Sequence, residues 1–384
     1  MKAHKDMRIG FISGSSPDDR RASSGTNYKV AQALGKIGEL CWIPVKTPQY
    51  YRCMELAAKA LAKLCGKNLS FGYTYLGSSM LSGGVRTEKI PSCDVLVAFW
   101  QGSTLGNIDT MGKPVVYLSD ATFPAMVGYY PAFSRLFKWN VRQGTEIERH
   151  SLDKASAIVL SSDWSAASAV NDLHQPRGKV HVVEFGANID EKDIVRPAFS
   201  CNGRLDVLFM GVEWERKGGD VAVEAVRRLN EDGVPSTLHI VGIRELPPQV
   251  ARLPYINYIG FLNKNVPEQY QRLVEAIRQC RLLLLPTKAE CAGVAFCEAS
   301  AYGMPVFTYD TGGIPNYVLN GVNGYRLPTE ATGSDFARKI KSCLATGELE
   351  KMSSLSNQLY KVRLNWNTWA EKMRAIVINL LDCR

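Results

Sequence analysis

The chain has 384 residues, 46% of them hydrophobic and 22% charged, with a formal net charge of +9. That length exceeds one typical core and suits two domains of roughly 180 residues each, while the ordinary composition excludes fibrous and disordered classes. The charge is compatible with an anionic partner, a nucleotide diphosphate or an anionic membrane surface equally, and decides between none of them; no RNA-binding, zinc-finger or helix-turn-helix signature supports a nucleic acid.

No run approaches the roughly 18 apolar residues of a membrane span. Met1-Lys-Ala-His-Lys-Asp-Met7 leads straight into a strand instead of a signal h-region, so a cytoplasmic location is expected. Ten cysteines, from Cys41 to Cys383, are scattered without a C-x-x-C pair and read as buried reduced thiols. The five histidines, His4, His150, His174, His181 and His239, show no metal-ligand spacing, so no metal and no cofactor is implied.

Taken in chain order, short apolar runs alternate with helical patterns, which argues for βα units and parallel sheets. The strands predicted in the first half are 8–12, 40–45, 94–100, 114–118, 157–160 and 179–184. A polar, strand-poor stretch containing Pro197 and Cys201-Asn-Gly203 then reads as a linker. The series restarts at 205–210 and continues with strands at 237–241, 256–259, 282–285 and 305–308, separated by helices such as 219–231 and 267–279. The resulting division is a first domain over 1–188, a linker over 189–204, a second domain over 205–366 and a terminal helix over 367–384.

Residues 52–67 form a helical pattern in which Arg52, Lys59, Lys63 and Lys67 share one stripe opposite Met54, Leu61, Leu64 and Cys65. Two readings stay open: a solvated charged face above an ordinary core stripe, or a surface for anionic lipid headgroups at the inner face of a membrane.

The densest chemistry lies in Ala289-Glu-Cys-Ala-Gly-Val-Ala-Phe-Cys-Glu-Ala-Ser-Ala-Tyr-Gly-Met-Pro-Val306. The strand 282–285 ends at Pro286 and a helix is predicted from about Gly293 to Tyr302. Glu290 then sits in the turn, free N–H groups near Gly293 and Val294 form an anion site, and Glu298 lies one to two turns into the helix. A diphosphate on those amides, with the glutamates accepting from hydroxyls, is the design of a nucleotide-sugar site, while on spacing alone the two glutamates read as solvated helix-surface acids.

This stretch resembles the E-x7-E signature of GT-B glycosyltransferases, family 4. Glu290, Gly293, Glu298, Ala299, Gly303, Pro305 and Val306 occupy the family's places, and Thr311-Gly-Gly-Ile-Pro315 with Asn320-Gly-Val-Asn-Gly324 continues its order. The family often has Phe-Gly where this chain has Ala292-Gly293. The resemblance implies two doubly wound Rossmann-like α/β domains facing a cleft, with a C-terminal helix crossing back to the first. It implies a retaining, metal-independent hexosyltransferase acting between a nucleotide diphosphate-sugar and a hydroxyl acceptor that is a glycan, a lipid-linked molecule or a small molecule. A GT-B epimerase or phosphorylase, or a non-catalytic sugar clamp, are the rival readings.

By that resemblance Glu290 binds sugar hydroxyls, Glu298 the ribose, and the amides of Gly293, Val294 and Ala295 the β-phosphate. Phe261 and Leu262 contact the base through main chain. In Phe209-Met-Gly-Val-Glu-Trp-Glu-Arg-Lys-Gly-Gly-Asp220, Lys217 matches the family's Lys-Gly lysine, Val212 stands where an arginine is common, and Arg216 is the candidate for the missing cation. Near the N-terminus Gly25 and Thr26 open a helix that touches phosphate or acceptor, with Ser24 as an alternative cap. Asp120 stands where many family members carry a histidine; it reads either as a group that orients a sugar hydroxyl or draws the acceptor proton, or as an N-cap or Asx-turn residue.

Overall fold

The computed structural model describes residues 7–195, 199–200 and 203–382; His4, Pro197, Cys201 and Cys383 lie outside the described residues. The chain divides into two compact units, one formed by Met1–Val183 with Trp369–Arg384 and the other by Glu184–Thr368.

The first unit carries β1 (Arg8–Ser13), β2 (Glu39–Pro44), β3 (Val95–Phe99), β4 (Val115–Ser119), β5 (Ala157–Leu160) and β6 (Val180–Val182). Their order is β2-β1-β3-β4-β5-β6, with every pairing parallel. β3, β4 and β5 are buried along their whole length, as short apolar runs in a sheet covered on both faces should be. The second unit carries β7 (Leu205–Met210), β8 (Ser236–Val241), β9 (Ile256–Gly260), β10 (Leu282–Leu285), β11 (Val306–Tyr309) and β12 (Gly324–Leu327), again all parallel, in the order β12-β11-β10-β7-β8-β9. The architecture is therefore two six-stranded doubly wound α/β sheets.

In each sheet the winding reverses at its first strand. β1 lies between β2 and β3, and β7 lies between β8 and β10. Ligands of open parallel sheets bind outside the strand carboxyl ends at such a reversal. In the second unit that point is flanked by the loops after Met210 and Leu285, which carry Lys217 and Glu290.

β12 is not among the predicted strands. Its first residue, Gly324, runs so close to β11 that a Cβ there would lie 1.9 Å from the Val306 carbonyl oxygen, and the segment pairs in parallel from Gly324 to Leu327. The stretch read as a linker is stitched to the second unit. Ile189 is buried in its core, the Asp190 N–H donates to Tyr270 Oη at 2.9 Å, and Tyr302 Oη donates to the Asp193 carbonyl at 2.9 Å. The terminal helix, Trp366–Asp382, buries Trp369, Met373 and Val377, spaced four apart on one face. Within the first unit Arg374 donates from that helix to the Lys36 carbonyl at 2.5 Å.

Two expectations about burial are corrected. Cys53 and Cys65 are exposed, not buried. The apolar stripe opposite the lysines is no core stripe either: of the helix Gln49–Leu64 only Tyr51 and Ala62 are buried, while Met54, Leu61 and Leu64 face solvent.

Candidate functional site

In the second unit the loops after β7 and β10 are laced together around two cations. Residues 214–217 form one helical turn that ends at Gly218, whose φ of 76° is the left-handed conformation glycine tolerates. Gly218 also has no room for a side chain, because a Cβ would meet the Pro286 carbonyl oxygen at 2.1 Å. This close approach lets the Lys288 N–H donate to the Arg216 carbonyl at 2.8 Å. The Arg216 guanidinium then spans the two loops, donating to the Ala289 carbonyl at 2.9 Å and to Glu213 at 2.7 Å. That second bond holds the Glu213 carboxyl below its ordinary range.

Lys217 lies on the face of Gly211, where a Cβ would stand 2.8 Å from its Cγ, and its ammonium forms an ion pair with Glu290. Both side chains are only 11–14% exposed, so solvent screens the pair far less than it would a surface pair. Glu290 is fixed from a third loop as well, since the Gly313 N–H of Thr311-Gly-Gly-Ile-Pro315 donates to its carbonyl at 3.0 Å. The neighbouring Asn320-Gly-Val-Asn-Gly324 has a structural part: buried Asn323 accepts from the Leu319 N–H at 2.7 Å and donates to Ser300 Oγ at 3.1 Å.

The helix predicted from Gly293 is present as Val294–Ala301. The Val294 amide is not free, however. It donates to the Ala292 carbonyl at 3.1 Å, and Gly293 at φ −87°, ψ 65° is the centre of an inverse γ-turn. Glycine is required there by space, because a Cβ would fall 1.9 Å from the Phe296 ring. Glu298 is buried and accepts from Lys264 Nζ at 3.1 Å; the same ammonium lies 3.3 Å from the Asn188 carbonyl oxygen. Lys264 belongs to the loop after β9 that also holds Phe261 and Leu262. Leu262 packs into the core, and the Arg244 guanidinium sits 4.0 Å above the Phe261 ring. Sequence reading missed Lys264, since a lysine in a polar Asn-Lys-Asn loop has no distinguishing pattern.

The remaining candidates lie in the first unit. Gly25, at φ 96°, is itself the cap residue of the helix Thr26–Gly35, so Ser24 does not cap it; Ser24 has φ 59°. Thr26 is buried at the start of that helix. Asp120 follows β4 and accepts from the Trp100 indole N–H at 2.8 Å. It does not serve as N-cap, because the following short helix is capped by Thr122, whose hydroxyl accepts from the Ala125 N–H. In the same unit Glu148 is fully buried, accepting from Tyr117 Oη at 2.7 Å and from the Phe123 N–H. Burial pushes its carboxyl up to about 7.

Residues 204–346 match the family model of the glycosyl transferases group 1. The D-inositol 3-phosphate glycosyltransferase of Mycobacterium sp. (strain KMS) is 26% identical over 211 residues, covering 52% of this chain and 47% of its own length. The α-D-kanosaminyltransferase of Streptomyces kanamyceticus is 21% identical over 245 residues, covering 60% and 62%. This chain thus spans about half the length of the mycobacterial relatives it matches. Among solved structures, Anabaena HepE in complex with UDP and glucose superposes with a TM-score of 0.65 at 15% identity over 97% of this chain and all of its own. Sucrose-phosphate synthase from Thermosynechococcus elongatus reaches 0.69 at 14% identity, over 98% of this chain and all of its own. With the E-x7-E glutamates held at the reversal of its second sheet, residues 204–346 are similar to the group 1 glycosyl transferases, and the chain has the GT-B fold.

Proposed function

We propose that the protein is a retaining, metal-independent hexosyltransferase that moves a sugar from a nucleotide diphosphate to a hydroxyl acceptor. The observation that carries this reading is the shielded Lys217–Glu290 pair at the carboxyl ends of β7 and β10, with Arg216 held beside it. A cation and a carboxylate in one dry corner serve the two halves of a sugar diphosphate: Lys217 and Arg216 take the phosphate charge, and Glu290 accepts from sugar hydroxyls. Because the Val294 N–H is engaged with Ala292, the phosphate rests on these side chains and on neighbouring amides of Gly293 and Ala295. Glu298, steadied by Lys264, accepts from the ribose, and the Phe261–Leu262 backbone meets the base. Anabaena HepE, which shares the fold, is described with UDP and with UDP-glucose, which supports a donor of this class.

In the transfer the acceptor oxygen forms a bond to the anomeric carbon as the bond to the departing diphosphate breaks. The acceptor proton passes to the leaving phosphate oxygen. The two side-chain cations offset the charge that grows there, the part a metal ion plays elsewhere. Gly25, Thr26 and Asp120 are the first unit's candidates for contacting phosphate and acceptor.

The test is a thermal-shift screen over nucleotide sugars, since a ligand that binds the folded state alone raises Tm, followed by turnover of the stabilising donor in EDTA with NMR of the product anomer. The expected outcome is a stabilising donor, activity undiminished by EDTA, and retained configuration. Strict dependence on manganese or magnesium, or inverted product, overturns the mechanism.

A further inference from the structure

The helix Gln49–Leu64 buries only two side chains, although amphipathic helices of globular proteins ordinarily bury a full apolar stripe. Leu56, Leu61 and Leu64 are 65–85% exposed, and Tyr50 and Met54 accompany them. Across from this helix Leu76 and Trp139 are also exposed large apolar side chains. Between them lies a cavity of about 580 Å³ whose walls include Leu61, Cys65, Phe71, Leu76, Phe137 and Trp139. Its size falls within the range of small-molecule sites, and its walls offer almost no polar group to recognise anything but hydrocarbon.

The end of this groove is cationic: Lys67 follows the helix two residues after the wall residue Cys65, and exposed Arg135 and Lys138 precede Trp139, while Arg52, Lys59 and Lys63 lie on the opposite stripe of the same exposed helix. Arg135 is held there by a 2.5 Å bond to the Gly66 carbonyl. The only acidic residue of the helix is Glu55, which pairs with Lys59. An apolar slot with cations at its end, on a helix whose other exposed stripe is also cationic, complements an amphiphile with an anionic head and a hydrocarbon tail. We propose that this face docks on an anionic lipid bilayer and that one hydrocarbon chain of a bilayer lipid enters the groove between the Gln49–Leu64 helix and Trp139. This docking does not depend on the transfer reaction and is tested without it.

The experiment mixes the full chain with vesicles of phosphatidylcholine alone or with phosphatidylglycerol, the second set also made with brominated acyl chains. Three results are expected: sedimentation with the anionic vesicles only, release at high salt, and quenching of tryptophan emission by the brominated chains. The triple variant Lys59→Gln, Lys63→Gln, Lys67→Gln should bind at least tenfold more weakly. Trp139→Phe should still sediment but lose most of the quenching. Ala58→Phe, which fills the groove, should also retain sedimentation and lose quenching. Vesicle binding without quenching overturns chain insertion. Absence of binding at low salt overturns the whole proposal, and if the chain then self-associates in solution, the apolar face belongs to a second copy.

Discussion

The Lys264 ammonium stands 3.1 Å from the Glu298 carboxylate, with the two side chains 15% and 5% exposed. A carboxylate this buried needs a cation, and removing one partner of such a pair leaves an uncompensated charge costing about 3–5 kcal/mol. Lys264→Met should therefore lower the unfolding free energy by an amount of that order and weaken nucleoside binding through Glu298. Lys264→Arg should recover part of both. Denaturant titration together with calorimetric binding of a nucleoside checks this, and unchanged values in Lys264→Met would remove Lys264 from the site.

Glu290→Gln keeps the shape of the side chain but loses its charge. Turnover should fall on the order of 10²-fold or more while the circular dichroism spectrum stays that of the parent. Wild-type turnover in this variant would refute the assignment of Glu290 to the sugar.

Lys217→Ala and Arg216→Ala should each weaken binding of a nucleoside diphosphate more than binding of the nucleoside. The larger effect is expected for Lys217, whose loss also strands Glu290. Equal losses for both ligands would move the anion site to another loop.

Gly218→Ala places a side chain at φ 76° and against the Pro286 carbonyl. Strain of about 1–3 kcal/mol is expected from the backbone alone, and the clash must push the Lys217 loop away from β10. The measurable result is a lower Tm together with weaker diphosphate binding.

Glu148 sets a pH dependence. Burial raises its carboxyl from 4.5 to about 7, so the folded state keeps this proton longer than the unfolded chain does. Its contribution is fully present below pH 4.5 and is lost as pH rises through about 7, on the order of 3 kcal/mol across the window. Glu148→Gln retains an acceptor for the Phe123 N–H and should flatten the stability profile between those values. A profile identical to the parent's would mean that Glu148 titrates normally.

Strands such as Leu282–Leu285 and Ala157–Leu160 are legible because four consecutive apolar residues bounded by turn residues have few other uses in a parallel sheet. β12 is not legible: Gly-Tyr-Arg-Leu is mixed in polarity, and only its close approach to Val306 makes it a strand. Candidate residues are singled out where a local motif demands a residue type, as at Lys217 and Glu290, and hidden where a contact is made at long range. Lys264 reaches Glu298 across 34 positions, and the acceptor role of Asp120 toward Trp100 depends on two strands meeting side by side. Exposure is the poorest-read property. The alternation of charge and leucine in Gln49–Leu64 is the same for a core helix as for one that keeps its leucines outside.

The first unit is assembled from two stretches of chain separated by the whole of Glu184–Thr368. During synthesis Met1–Val183 leaves the ribosome long before Trp369, Met373 and Val377 exist, so the place these side chains fill must wait while the second unit, continuous in sequence, is made. Completion of the amino-terminal unit is thereby a late event in the life of each molecule. A chain released after truncation at residue 368 should carry a finished second unit and an unfinished first.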